Sequence, residues 1–120
     1  LTISLKWEIE AAMREKKNSA QRRKGRAAVF KALGHPARLH IVEEIAMGER
    51  CVCDLVELVG LGWSAVSRHL TVLKTAGVLA DEKRGLQVFY RLALPCLISF
   101  SECLDAARNG EAVEIKRCCG

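Results

Sequence analysis

Cys51 and Cys53 stand two apart in the stretch Glu49-Arg50-Cys51-Val52-Cys53-Asp54-Leu55. Two thiols at that spacing are a chelate for a soft cation: sulfur favours trivalent arsenic or antimony, lead, cadmium and copper(I), whereas carboxylates and carbonyls suit hard ions. In a regular helix, residues two apart point roughly 200° from each other. If Cys51 instead lies in an extended segment just ahead of a helix, both sulfurs can turn toward one ion. The alternative is a pair of ordinary buried cysteines, which behave as small apolar residues.

Four more cysteines follow at 96, 103, 118 and 119, making six in 120 residues. That density would suit a disulfide scaffold in a secreted chain. Against it, Leu1 to Glu10 carries Lys6, Glu8 and Glu10 and has no apolar signal core, and half the residues are apolar, enough to fold without staples. A cytoplasmic setting is expected, where cysteines act as metal ligands, redox sensors or core residues. The chain begins at Leu1 rather than Met, so its natural N-terminus is expected to lie upstream. A thiol enzyme would need a nucleophile at a phosphate-cradling loop or a Cys-x-x-Cys at a helix start. Neither is present, so no enzyme and no catalytic residue are expected.

A second set of chemistry-bearing residues lies between Trp63 and Ala76. At ~100° per residue, Val66, Leu70 and Leu73 fall on one arc of a helix, and Ser64, Ser67, Arg68, Thr71 and Thr75 on the opposite one. The outward face is thus made of hydrogen-bond donors and acceptors. His69 falls between the arcs, where a packed or capping role is expected. Charge points the same way as that polar face: 19 Lys plus Arg against 14 Asp plus Glu leave a formal +5, a bias toward polyanions. Seven basic residues, Arg14, Lys16, Lys17, Arg22, Arg23, Lys24 and Arg26, face one acid, Glu15, in the segment from Arg14 to Arg26. Such a run is either a solvated helix face or arm, or a nucleic-acid contact.

Positioning these groups requires a particular order of elements. Residues from about Ser19 to Leu33 read as a helix closed by Gly34, and His35-Pro36 opens a second, Ala37 to about Met47, ended by Gly48. A third runs from Val52 or Asp54 to Val59, with Leu55, Leu58 and Val59 on one face, and Gly60-Leu61-Gly62 turns into the helix from Trp63. Val78 to Lys83 and Gln87 to Leu92 are β-prone and flank Arg84-Gly85-Leu86, a basic hairpin tip. Pro95 starts a last helix, to about Arg108, whose apolar side carries Leu97, Phe100, Leu104 and Ala107. Two short helices joined by a Gly-containing three-residue turn form a helix-turn-helix, and the hairpin after them makes it winged. The expected architecture is mainly α with a β-hairpin wing. It divides into an arm (1–18), a winged helix-turn-helix domain (19–108) and a tail (109–120). No apolar run approaches the ~18 residues of a membrane span.

On Leu33-Gly34-His35-Pro36-Ala37-Arg38-Leu39, the segment Glu49 to Leu55, Val66-Ser67-Arg68-His69-Leu70, Leu73 to Val78, and the wing from Lys83-Arg84-Gly85 to Val88-Phe89-Tyr90, the sequence resembles the ArsR/SmtB family of metal-responsive repressors, from about Ala27 to Leu104. The resemblance implies a homodimer through the first and last helices, bound to a roughly palindromic operator in double-stranded DNA. By position, Ser64, Ser67, Arg68 and Thr71 face the DNA: hydroxyls suit phosphates or either base, and Arg68 a guanine or phosphate. Arg84 is expected to meet a phosphate or the minor groove, or only solvent. Trp63 departs from the family's usual polar residue and is either a core anchor or a stacking group.

The resemblance also makes Cys51 and Cys53 ligands for an inducer, As(III) or Sb(III), with Pb(II) or Cd(II) as alternatives. Arsenic repressors of the family take a third sulfur further along the same helix, where this chain has Val56. Cys96 is the favoured replacement, since the strand around Arg50 to Val52 is expected to pair with the returning wing strand, and Cys96 follows that strand. Cys118 and Cys119 are alternatives, from the same or the other protomer, and Cys103 is read as a packed interface residue. The family's zinc site on the last helix needs a histidine there, and His35, His40 and His69 all lie elsewhere. Ion capture at Cys51 and Cys53 would reshape the start of the helix supporting the DNA-reading one and release the operator. A thiol redox or persulfide switch is the competing mechanism.

Overall fold

The computed structural model describes residues 2–111, and side chains from residue 5 onward. Five helices, α1 (Thr2–Leu33), α2 (Pro36–Ala46), α3 (Val52–Val59), α4 (Trp63–Thr75) and α5 (Cys96–Arg108), are joined by strands β1 (Arg50–Cys51), β2 (Leu79–Arg84) and β3 (Gln87–Leu92). The strands form one antiparallel sheet in the order β1-β3-β2.

Local chemistry sets the junctions. His35, in extended conformation, accepts the Ala37 N–H on Nδ1 at 3.1 Å, and Pro36 occupies the first helical turn, where no N–H is missed. The Arg38 guanidinium reaches back to the end of α1, donating from Nε to the Ala32 carbonyl at 2.6 Å. It thereby satisfies a terminal carbonyl and sets a positive charge at the negative end of the helix. α4 ends in a Schellman motif: Gly77 takes φ 87°, its N–H donates to the Lys74 carbonyl, and the Val78 N–H to that of Leu73. The wing turns on two residues, Gly85 and Leu86, between Arg84 and Gln87, with Gly85 at φ 64°. A positive φ at the first central residue alone is the II′ pattern of tight hairpins.

The core lies where α2, α3, α4 and the sheet meet. Ile41, Val42 and Ile45 of α2, Leu55 of α3, and Val66, Leu70 and Leu73 of α4 close on Val78 and Leu79 at the base of the wing. The buried arc of α4 is the one its spacing predicts. By contrast, no residue of α5 is fully buried. Phe100 and Leu104 remain about half exposed, and Phe100 meets Phe30 of α1 edge-on at 6.2 Å.

One boundary differs from expectation. α1 begins at Thr2 rather than near Ser19, so the arm (1–18) is continuous with the helix that enters the domain. The reason is that Gly25 is the chain's first glycine, no proline precedes Pro36, and most residues before it are good helix formers.

Candidate functional site

The two central cysteines meet at the junction of β1 and α3. Cys51 ends the strand, paired opposite Phe89, with φ −84° and ψ 167°, and is also the N-cap of α3. Its Sγ accepts the Asp54 N–H at 3.4 Å while the Asp54 carboxylate accepts the Cys51 N–H at 3.4 Å, a capping box with sulfur in place of a hydroxyl. Cys53 lies in the first turn. The extended backbone at Cys51 swings its side chain back over that turn, and the two cysteines are joined as a disulfide with Cα atoms 5.4 Å apart. Cys51 is buried, Cys53 half-buried and Asp54 exposed, and ligand atoms of all three lie within 4.8 Å of one another.

Among the described residues this is the only group of three or more candidate ligands, and Cys96 is not in it. Cys96 opens α5 as a free, half-buried thiol. β1 does pair with β3, but antiparallel, so Phe89 faces Cys51 and Tyr90 already faces Arg50. Each later residue moves ~3.3 Å further from the sulfurs. The strand ends at Leu92, and Cys96 comes after the turn that follows it, at the start of α5. Cys103 is likewise free and half-buried on α5. Cys118 and Cys119 lie outside the described residues.

Cys51 shares a sheet with the wing. Glu49, two residues before Cys51, accepts two hydrogen bonds from Arg84, at 2.8 Å and 3.2 Å, and Glu82 accepts a third at 2.8 Å. The same guanidinium lies over the Phe89 ring, 5.0 Å from its centroid. These hydrogen bonds hold the Glu49 carboxyl below the usual carboxylate range and push the Arg84 pKa up. Arg84, expected at the hairpin tip, is thus the last residue of β2, engaged by two carboxylates of its own chain. Alternation along β2 puts Glu82 and Arg84 on one face and was a usable signal. Glu49, 35 residues away, gave none.

The polar arc of α4 is open to solvent. Ser64, Ser67, Arg68 and Thr71 are all exposed, opposite buried Val66, Leu70 and Leu73. Thr71 spends its hydroxyl proton on the Ser67 carbonyl at 3.0 Å, leaving its oxygen to accept. Trp63, at the first position, is 58 % exposed and anchors no core. His69 packs, as its position between the arcs predicts, with its ring 4.7 Å from that of His35. Burial, and then the nearby His35, Arg38 and Arg68, hold its pKa below the ordinary histidine value. Lys74 meets Asp81 at 2.9 Å, tying the end of α4 to the wing.

Residues 35–81, from the cap of α2 into β2, match the family model described as bacterial regulatory protein, arsR family. Over 85 residues the chain is 40% identical to the HTH-type transcriptional regulator Rv0081 of Mycobacterium tuberculosis, covering 70% of this chain and 72% of that protein. It is 42% identical over 66 residues to the arsenical resistance operon repressor of Escherichia coli, covering 54% of this chain and 56% of the repressor. The chain spans about half the length of the first curated relatives it matches. Among solved structures, the homodimeric winged helix-turn-helix DNA-binding domain of Mb0332 from Mycobacterium bovis superposes with a TM-score of 0.73. That pair is 26% identical over 81% of this chain and 94% of the other.

Proposed function

The chain belongs to the ArsR family of bacterial regulatory proteins, and from that premise we propose that it is a cytoplasmic repressor that leaves its operator when Cys51 and Cys53 capture a thiophilic ion. Family and fold are those of DNA-binding regulators, not of an enzyme. The observation that carries the reading is the double position of Cys51, strand partner of the wing opposite Phe89 and sulfur cap of α3. Any rearrangement of that sulfur acts at once on the sheet that holds the wing and on the helix packed beneath α4.

The reduced pair suits As(III) or Sb(III), with Pb(II) and Cd(II) as thiophilic alternatives. The arsenical resistance relative favours As(III). Bound, the ion would be held by the Cys51 and Cys53 sulfurs, which would take the Cys51 Sγ from its role as acceptor for the Asp54 N–H. The reading rests on Cys51 and Cys53 and does not require Cys96. Ser64, Ser67, Arg68 and Thr71 are the DNA-facing residues, two copies of α4 reading two half-sites about one helical turn apart. The homodimer forms through α1 and α5, where Phe30, Phe100 and Leu104 leave apolar surface exposed.

A second reading is favoured by the disulfide itself. Two thiols would become one disulfide, giving two protons and two electrons to a peroxide or disulfide oxidant, and oxidation rather than an ion would then set DNA affinity. Titrating reduced protein with arsenite, antimonite, lead or cadmium under strict exclusion of oxidant separates the two. The ion reading expects a sulfur-to-metal charge-transfer band and loss of operator binding. The redox reading expects operator binding to persist with these ions and to fall only when a peroxide is added.

A further inference from the structure

We propose that the middle of α1, from Arg14 to Arg26, is a second DNA-binding element, a basic rod that grips duplex phosphates beyond those met by α4 and the wing. This rests on the DNA-binding reading above but uses none of its residues. The segment from Arg14 to Arg26 is helical and every one of its residues is exposed. Its seven basic side chains face one acid, and its only apolar residues are Ala20 and Gly25. At ~100° per residue the charges point to every side of the helix. No apolar face is left to enter a bilayer surface or another protein's groove.

The helix is also unfavourable as it stands. Arg14 and Lys17, Arg22 and Arg26, and Arg23 and Arg26 are like charges three or four residues apart, spacing at which they repel. Among the described residues the ion pairs are His40 with Glu44, Lys74 with Asp81, and Arg84 with Glu49 and Glu82, so no carboxylate pairs with the run, and only Glu10, four residues before Arg14, stands at an attracting spacing. A polyanion would relieve the run. Over the ~18 Å that the run spans, a parallel duplex presents about ten phosphates. The far end of α1 is fixed on the same body as the reading helix: Ala32 is buried in the core, Arg38 caps its last turn, and His35 packs on His69 of α4. The rod is therefore carried on the same body as the reading surface.

The test uses the full chain and three versions of it: R14Q/K16Q/K17Q, R22Q/R23Q/K24Q/R26Q, and a charge-conserving version in which every Lys and Arg of the run is exchanged for the other. Far-UV circular dichroism checks that the helix survives. Affinity is measured against salt on an unselected mixed-sequence duplex and on an operator recovered from random duplexes by selection on the parent, the latter at about two helical turns (~21 base pairs) and at twice that length. The proposal expects both Gln versions to bind the longer duplexes roughly tenfold more weakly, with the slope of log K against log salt shallower by about 0.9 for each phosphate no longer engaged. The exchanged version should match the parent. Parental slopes and affinities in the Gln versions would overturn it. So would loss of binding to phosphatidylglycerol vesicles with DNA binding unchanged, which would make the rod a membrane-binding element. A parent with no sequence preference would refute the operator reading alone, because the rod is scored on unselected duplex as well.

Discussion

At Cys51 one side chain closes the box that starts α3 while its backbone pairs with the wing. Serine at that position keeps a capping acceptor, so Cys51→Ser is expected to fold and bind operator like the parent. It should lose the response to arsenite, as should Cys53→Ser, with a release of ~5 to 150-fold collapsing to none in an anisotropy titration. Cys96→Ser should keep that release, because Cys96 stands outside the ligand group. His69 supplies a pH test. Its folded pKa lies below its unfolded one, chiefly through burial, so the unfolded chain takes up the proton first. The contribution of His69 is therefore intact above about pH 6.5 and is lost as pH falls through that value toward the folded pKa. Melting temperatures measured from about pH 7.5 to about pH 5, a range that brackets the histidine titration, should fall less steeply for His69→Gln than for the parent. At this scale the meeting of Cys51 and Cys53 was legible, because an extended residue just ahead of a helix turns two side chains at that spacing together. The fate of Arg84 was not, because its main partner, Glu49, becomes a neighbour only when β1 joins the sheet.

Among elements, the tie between the segment before β1 and the wing is the one whose removal is most informative. Glu49 and Arg84 are both well exposed, so Glu49→Gln should hardly change the urea midpoint, as expected for a solvent-screened pair. If the wing is driven through this tie, the variant should bind arsenite normally by its charge-transfer band yet show a several-fold smaller drop in operator affinity on saturation. A parental drop would place the coupling in α3 and α4 alone. The order of elements was readable because glycine and proline mark the junctions: Gly77 as the left-handed cap of α4, Gly85 in the tight hairpin, Pro36 at the first turn of α2. The start of α1 was not readable. Helix recognition leans on a repeating apolar face: Leu5, Trp7 and Ile9 alternate at a spacing of two, which is not helical, and the run from Arg14 to Arg26 is charged on all sides.

For the whole molecule, the proposed dimer would close on the apolar surface left by Phe30, Phe100 and Leu104, and the Mb0332 domain that this chain resembles is a homodimer. Leu104→Asp would set a charge in that interface, where an unpaired carboxylate is costly. It should shift the protein to monomer in sedimentation and weaken operator binding at least roughly tenfold, since one α4 reads only one half-site. The pairing of chains was legible only through family resemblance, because an exposed apolar stripe on α5 does not say what covers it. The most direct measurement is operator affinity of the reduced dimer with and without saturating arsenite, antimonite, lead or cadmium. The account predicts a drop of ~5 to 150-fold with at least one of these ions that disappears in Cys53→Ser. Equal affinity under all conditions, with the thiols verified as reduced, would contradict it.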